Sequence, residues 1–159
     1  LMLKIRHIAI ALLTLTFPFS AAVAQSDYPF VAADFEVPET LETEAFRLRM
    51  LSVSDVVKDY DAVMTSKPYL LELFGDWGGW PEGLTLEENL IDLGWHQKEF
   101  MRRTSFTYTV VSLDESKVLG CVYIFPTRKQ GYDANITYWA RESAEGDPAD
   151  QALGAAVRA

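Results

Sequence analysis

The sequence predicts an α/β (α+β) fold, and the order of its hydrophobic patterns supports this fold class. A first segment alternates in the manner of a strand, and two segments with helical periodicity follow it. Three further strand-like segments then come one after another, and a last helical segment reaches residue 159. Strands grouped between helices indicate one sheet with helices packed on it.

Length and composition indicate one globular domain. The 159 residues are 49% apolar and 23% charged, a balance that argues against disorder. The formal net charge is −9, and a phosphate backbone requires a basic face. We therefore expect no nucleic-acid partner.

Residues 1–24 have the three parts of a secretory signal peptide. Lys4 and Arg6 make a positive start, residues 8–17 are mostly apolar, and residues 22–24 are small enough for cleavage. Residues 25–159 then carry 12 basic and 23 acidic groups, a net charge of −11. This predicts an exported protein, periplasmic or extracellular, with no membrane contact after cleavage. The alternatives are an uncleaved anchor, or a mis-assigned start and a cytoplasmic protein.

The segment 25–45 is acidic, contains two prolines and has no sustained period, which predicts a tether or an irregular lead-in. Residues 46–51 alternate apolar and basic side chains and predict a half-buried strand. The next helix is expected to be capped by Ser52 or Ser54 and to end at Pro68. Its predicted apolar stripe consists of Val56, Val57, Tyr60, Val63 and Met64.

Residues 69–83 combine four glycines and one proline with Trp77 and Trp80. The glycines prevent a long helix, whereas the two indoles need apolar shelter. One interpretation is an irregular segment whose tryptophans cover the core. The other is the wall of a ligand cleft, in which Trp77 and Trp80 bind substrate.

A capping box at Thr85 and Glu88 predicts a helix that runs to about Arg103. We expect Leu86, Leu90, Leu93 and Phe100 to form its apolar stripe. Asp92, His96 and Glu99 share one face, where their spacing could hold a metal. Further ligands are missing, so a solvated face is the better explanation, and we expect no metal.

Three strands are predicted at 106–113, 117–125 and 132–141, of which the second is nearly continuous in apolar residues and therefore central. Asp147 and Pro148 are a strong helix start for the last segment. Cys121 has no disulfide partner and lies in the central apolar run. We expect a buried, inert thiol.

Two of these strands carry a family resemblance. Val118-Leu-Gly-Cys-Val-Tyr-Ile-Phe-Pro126 resembles the third strand of the Gcn5-related N-acetyltransferases (GNAT), and Asp133-Ala-Asn-Ile-Thr-Tyr-Trp-Ala-Arg141 is similar to their fourth. Phe46-Arg-Leu-Arg-Met-Leu51 resembles their first strand. The resemblance covers residues 46–159. It implies a partial GNAT-like fold, with a mixed, mainly antiparallel sheet flanked by helices.

The resemblance also implies acetyl transfer from acetyl-CoA to an amine-bearing small molecule or peptide. Tyr138, Trp139 and Ala140 would pair with the pantetheine through their backbone, and the loop around Gly146 would hold the pyrophosphate. Asp133 or Glu72 would be the general base.

The sequence departs from the family in the phosphate loop, which normally reads Gln/Arg-x-x-Gly-x-Gly/Ala. Here residues 142–149 hold one glycine, three acids and Pro148, which donates no amide. The resemblance also implies a domain that is incomplete after the fourth strand and the following helix. The fourth strand would then be an unpaired edge, which predicts self-association.

Two hypotheses remain from the sequence. The first is an N-acetyltransferase. The second is a non-catalytic exported binding or interaction module on the same half-fold, which acetyl-CoA, a cytoplasmic metabolite, would not reach.

Overall fold

Five strands form one sheet in which every neighbouring pair is antiparallel and the spatial order follows the chain. The computed structural model describes residues 28–141 and 149–158. The strands are β1 Thr40–Glu42, β2 Arg47–Met50, β3 Phe106–Val111, β4 Val118–Pro126 and β5 Ala134–Ala140. The fold class expected from the sequence is confirmed, with a wholly antiparallel sheet in the described residues.

Helices cover both faces of this sheet. Between β2 and β3 lie α1 Val56–Thr65, α2 Lys67–Phe74 and α3 Leu86–Arg102, and α4 Ala149–Arg158 follows β5. Short 3₁₀ turns occur at Val53–Asp55 and Gly75–Trp77. The first three helices pack on one face, which we call the helical face, and α4 packs on the opposite face. No helix in the described ranges is long and apolar enough to cross a membrane.

The segment predicted as a tether behaves differently where the structure describes it. β1 pairs with β2 and so extends the sheet. Phe30 packs against Phe106 with ring centroids 5.9 Å apart, and the Arg103 guanidinium donates to the carbonyls of Ala32 and Phe35 at 2.7 Å. Apolar burial and these hydrogen bonds attach residues 30–42 to the domain.

The region around α1 and α2 differs from the sequence prediction in two respects. Pro68 lies in the first turn of α2, where its missing N–H costs no hydrogen bond, and α1 has already ended at Thr65. Ser52 caps the 3₁₀ turn before α1 rather than α1 itself. Val57, which was placed in the apolar stripe, is 66% exposed, whereas Asp59 on the same helix is buried.

The capping box of α3 is confirmed, with hydrogen bonds in both directions between Thr85 and Glu88. The predicted apolar stripe is partly wrong, because Leu86 and Leu90 are exposed while Asn89 and Glu99 are buried. The helix therefore turns polar side chains towards the sheet. Burial of these polar side chains costs free energy unless they form hydrogen bonds or face a cavity.

An ion-pair network joins β2 to two turns. Arg49 donates two hydrogen bonds to Asp55, at 2.8 and 2.9 Å, and a third to Glu115 at 3.0 Å. Asp55 is 2% exposed and also pairs with Lys58. Burial is the largest single effect and opposes ionisation of Asp55, but the hydrogen bonds and charges of Arg49 and Lys58 together outweigh it and lower the pKa of the carboxyl.

Candidate active site

A cavity of about 320 Å³ lies on the helical face of the sheet, between the helices and β4. Its walls come from α1, the α2–α3 region, α3 and the two aromatic residues of β4. The lining residues are Leu51, Asp59, Val63, Phe74, Trp80, Asn89, Asp92, Leu93, His96, Tyr123 and Phe125. This mixture of aromatic walls with a few polar groups is typical of small-molecule sites.

Asp59 is the most buried charged group of the cavity wall. Its carboxylate accepts a hydrogen bond from the Asn89 side chain at 2.9 Å and lies 3.7 Å from the Cys121 sulfur. Burial raises the pKa of Asp59 to about 6, against the opposing effect of the Asn89 hydrogen bond. The carboxyl therefore titrates near the range in which a group can accept a proton at neutral pH.

Asp92 and His96 lie one turn apart on α3 and both line the cavity. His96 Nδ1 is 3.1 Å from the Thr107 hydroxyl, and its ring lies 5.4 Å from that of Tyr123. Burial lowers the pKa of His96, with Glu99 and Asp92 acting in the opposite direction. Burial also disfavours the charged form of Asp92 and so raises the pKa of that carboxyl.

These positions correct the prediction of a solvated face at Asp92, His96 and Glu99. The face is turned to the sheet, and Glu99 is 6% exposed and accepts a hydrogen bond from Ser105 at 2.7 Å. Among the described residues, no group of three or more His, Cys, Asp or Glu side chains is placed to hold a metal ion.

Cys121 is buried and contacts Asp59 of the cavity wall. Burial raises the pKa of its thiol well above the ordinary value, and the neighbouring Asp59 acts in the same direction. A thiol that stays protonated is a poor nucleophile. The predicted burial of this cysteine is therefore confirmed, and a protonated thiol agrees with the expected inertness.

β5 is the edge strand of the described sheet, and its hydrogen-bond register determines which groups face outward. The backbone N–H of Arg141 donates to the Leu119 carbonyl at 2.7 Å, so this N–H points towards β4. Along an antiparallel strand the direction alternates from residue to residue. Trp139 therefore bonds to β4, whereas the N–H and C=O groups of Tyr138 and Ala140 point away from it.

Of the three residues predicted to offer backbone to a cofactor, Tyr138 and Ala140 have the required orientation. Trp139 is fully buried on the helical face instead, and Tyr138 packs with α4 on the other face. Gly146, predicted to bind the pyrophosphate, lies outside the described residues, as do residues 1–24 with their predicted signal.

The predicted general bases do not reach the cavity. Asp133 is exposed just before β5, and Glu72 is exposed on α2. Of the predicted substrate-binding pair, Trp80 lines the cavity and packs edge-on against Phe74 at 5.7 Å. Trp77 lies in the 3₁₀ turn that precedes it.

Several cavity residues are not singled out by the sequence patterns, among them Asp59, Phe74, Asn89, Tyr123 and Phe125. Asn89 gave a usable indication, because Asn89, Leu93 and His96 follow helical spacing and therefore share a face with Asp92. An interior face that mixes Asn, Asp and His is unusual for a helix that only packs. Asp59 gives no comparable indication, since it lies in the charged run Lys58-Asp-Tyr-Asp61, which is typical of a solvated helix face.

Comparison with solved structures identifies the fold. A protein from Bordetella pertussis assigned to the GnaT family of acetyltransferases superposes with a TM-score of 0.53 at 12% identity, over 76% of this chain and 71% of that one. RimL, an α-N-protein acetyltransferase of ribosomal protein L7/L12 in complex with coenzyme A, gives 0.56 at 21% identity, over 74% and 67%. The chain has the fold of the GNAT acetyltransferases.

A third structure with this GNAT fold is the microcin C7 self-immunity acetyltransferase MccE in complex with acetyl-CoA and AMP. It superposes with a TM-score of 0.58 at 12% identity, over 77% of this chain and 66% of that one. No protein-family model matches the sequence, and no curated protein matches it either. At these identities the likeness extends to the fold, and the chain spans about two thirds of the length of each structure.

Proposed function

We propose that this protein is an N-acetyltransferase that moves an acetyl group from acetyl-CoA to an amine. The observation that carries the proposal is the orientation of β5. In an acetyltransferase fold, its outward backbone groups at Tyr138 and Ala140 are available to an extended chain with amide groups. The pantetheine arm of acetyl-CoA is such a chain.

Two of the similar structures support acetyl-CoA as the donor. RimL is in complex with coenzyme A, and MccE is in complex with acetyl-CoA and AMP. Tyr138 and Ala140 could each supply one donor and one acceptor to the amides of the same arm here. The pyrophosphate would then lie near the start of α4, where a helix N-terminus favours an anion.

The acceptor would be an amine on a small molecule or a peptide. RimL acts on the α-amine of a ribosomal protein, which is consistent with an amine acceptor. The amine nitrogen attacks the thioester carbonyl, a C–N bond forms, the C–S bond breaks, and coenzyme A leaves as the thiol after taking a proton. The amine must lose a proton, and Asp59, Asp92 and His96 in the cavity are better sheltered proton acceptors than the exposed Asp133 and Glu72.

Acetyl transfer can be measured directly on the full chain. Acetyl-CoA is mixed with small primary amines and with short peptides that have free amino termini, and release of the coenzyme A thiol is followed colorimetrically. We expect thiol release that requires both the protein and an amine. No thiol release with any acceptor would contradict the proposal and favour the non-catalytic binding or interaction module.

A further inference from the structure

The cavity on the helical face combines apolar aromatic walls with negative charge. We propose that it selects a small primary ammonium carried on an apolar body, with Asp92 as the counter-charge. The inference rests on the proposed function in taking the cavity as the place where the acceptor amine enters.

The dimensions and walls of the cavity indicate a small molecule rather than a long chain. A volume of about 320 Å³ is at the lower end for ligand pockets. Phe74 and Trp80 meet edge-on with centroids 5.7 Å apart, and Tyr123 and Phe125 stack at 6.2 Å. Aromatic faces pack against an apolar body and also attract a cation.

The charges of the lining favour a cation and oppose an anion. Asp59 and Asp92 are acidic, and no Lys or Arg is among the described residues that line the cavity. The remaining basic group is His96, and burial lowers its pKa and so favours the neutral ring. A carboxylate or phosphate would meet no compensating charge there.

Asp92 differs from the other buried acids of this region in having a free carboxylate. Asp59 is held by Asn89 and Cys121, and Glu99 accepts from Ser105. Within the described parts of the chain, the half-buried Asp92 carboxylate interacts electrostatically with His96, one turn along α3, but forms no side-chain hydrogen bond. An ammonium in the cavity would provide a hydrogen-bonding partner through charge-assisted hydrogen bonds, which a neutral hydroxyl cannot match.

The test compares two probes of nearly equal shape, 2-phenylethylamine and 2-phenylethanol, titrated into the full chain without acetyl-CoA and followed by NMR. We expect the amine to bind about tenfold more tightly than the alcohol. D92N should weaken amine binding about tenfold and leave alcohol binding unchanged. E87Q removes the same charge from an exposed position of α3 and should change neither affinity.

Three results would overturn the inference. They are equal binding of the two probes, amine binding that survives in D92N, or no saturable binding of the amine to a folded protein. Tighter binding of the peptide Ala-Ala-Ala-amide than of the amine would overturn the preference for a small molecule. The binding test contains no acetyl-CoA and is therefore independent of acetyl transfer. If the protein binds the amine selectively but transfers no acetyl group, the proposed function is contradicted and the inference about the cavity stands.

Discussion

The indole N–H of Trp139 on β5 donates a hydrogen bond to the hydroxyl of Tyr123 on β4, with a nitrogen–oxygen distance of 3.2 Å. Trp139 is fully buried, and Tyr123 lines the cavity. The bond therefore joins the edge strand proposed to bind acetyl-CoA to the cavity proposed to receive the amine. Any shift of β5 along β4 would break it.

Trp139→Phe should lower the free energy of unfolding by about 2–3 kcal/mol, because it leaves space in the core and deprives the Tyr123 hydroxyl of its donor. Urea denaturation measures the loss. Trp95→Phe is the matched control, since that indole is 52% exposed and should cost less than about 1 kcal/mol. Equal losses for the two variants would show that Trp139 is not the packed residue described.

Asp59→Asn should change the pH dependence of stability. Burial raises the pKa of Asp59 to about 6 from 3.8, so the folded protein keeps this proton to a higher pH than the unfolded chain. The stabilisation that protonated Asp59 gives the wild type is fully present below about pH 4 and is lost as the pH rises towards 6. The asparagine does not ionise, and its amide oxygen can still accept from Asn89.

We therefore expect the stability of D59N relative to wild type to rise between pH 4 and pH 6, by about 1–3 kcal/mol, and then to level off. Urea denaturation across this range measures the difference. Asp34→Asn, at an exposed position, is the control for removing a carboxylate. A difference for D59N that stays flat over this pH range would contradict the raised pKa.

Arg49→Ala should cost about 3 kcal/mol, because it leaves the buried Asp55 carboxylate with Lys58 alone. Arg49→Lys keeps the charge but loses the paired hydrogen bonds, so its cost should be smaller. Arg128→Gln, at an exposed site, should stay within about 0.5 kcal/mol of wild type. Thermal or urea denaturation ranks the three, and a neutral Arg49→Ala would rule out the network as a stabilising feature.

Gly120→Ala should disturb the pairing of β4 with β5. At this glycine, which has a φ of +152°, an added Cβ would overlap the backbone oxygen of Trp139. We expect a loss of at least about 2 kcal/mol in unfolding free energy. Gly75→Ala is the control, since a Cβ there meets nothing within 4 Å and should be neutral or slightly stabilising. A stable Gly120→Ala variant would contradict the close approach of the strands.

The sequence patterns predicted the elements well where one face of an element is apolar. The two-residue alternation of residues 132–141 predicts Trp139 and Arg141 on one face of the strand and Tyr138 and Ala140 on the other, and the structure confirms this split. The capping box at Thr85 was equally informative, because its two hydrogen bonds are local. Capping hydrogen bonds and the two-residue period of a strand depend on neighbouring residues, so both can be predicted without the rest of the fold.

The cavity could be predicted only in part. Leu86 and Leu90 are expected inside because apolar side chains usually are, yet α3 is rotated so that Asn89 and Asp92 face the cavity. That rotation is set by the hydrogen-bond partners of the polar side chains. The partner of Asn89, for example, is Asp59, which lies 30 residues earlier in the chain. Pairings over such distances leave no periodic trace in the sequence. Self-association through β5 stays a prediction.

Calorimetric titration of acetyl-CoA into the full chain and two proline variants tests most directly whether β5 holds the acetyl donor. A140P removes an outward N–H of β5 and should weaken binding about tenfold while keeping the ladder to β4, because a proline there deletes no β4 hydrogen bond. I136P makes the same change at an outward position farther along β5 and should bind nearly as wild type does, provided that all three proteins melt cooperatively. No heat with wild type at millimolar acetyl-CoA, or equal affinity in A140P and wild type, would contradict the claim that β5 holds the acetyl donor.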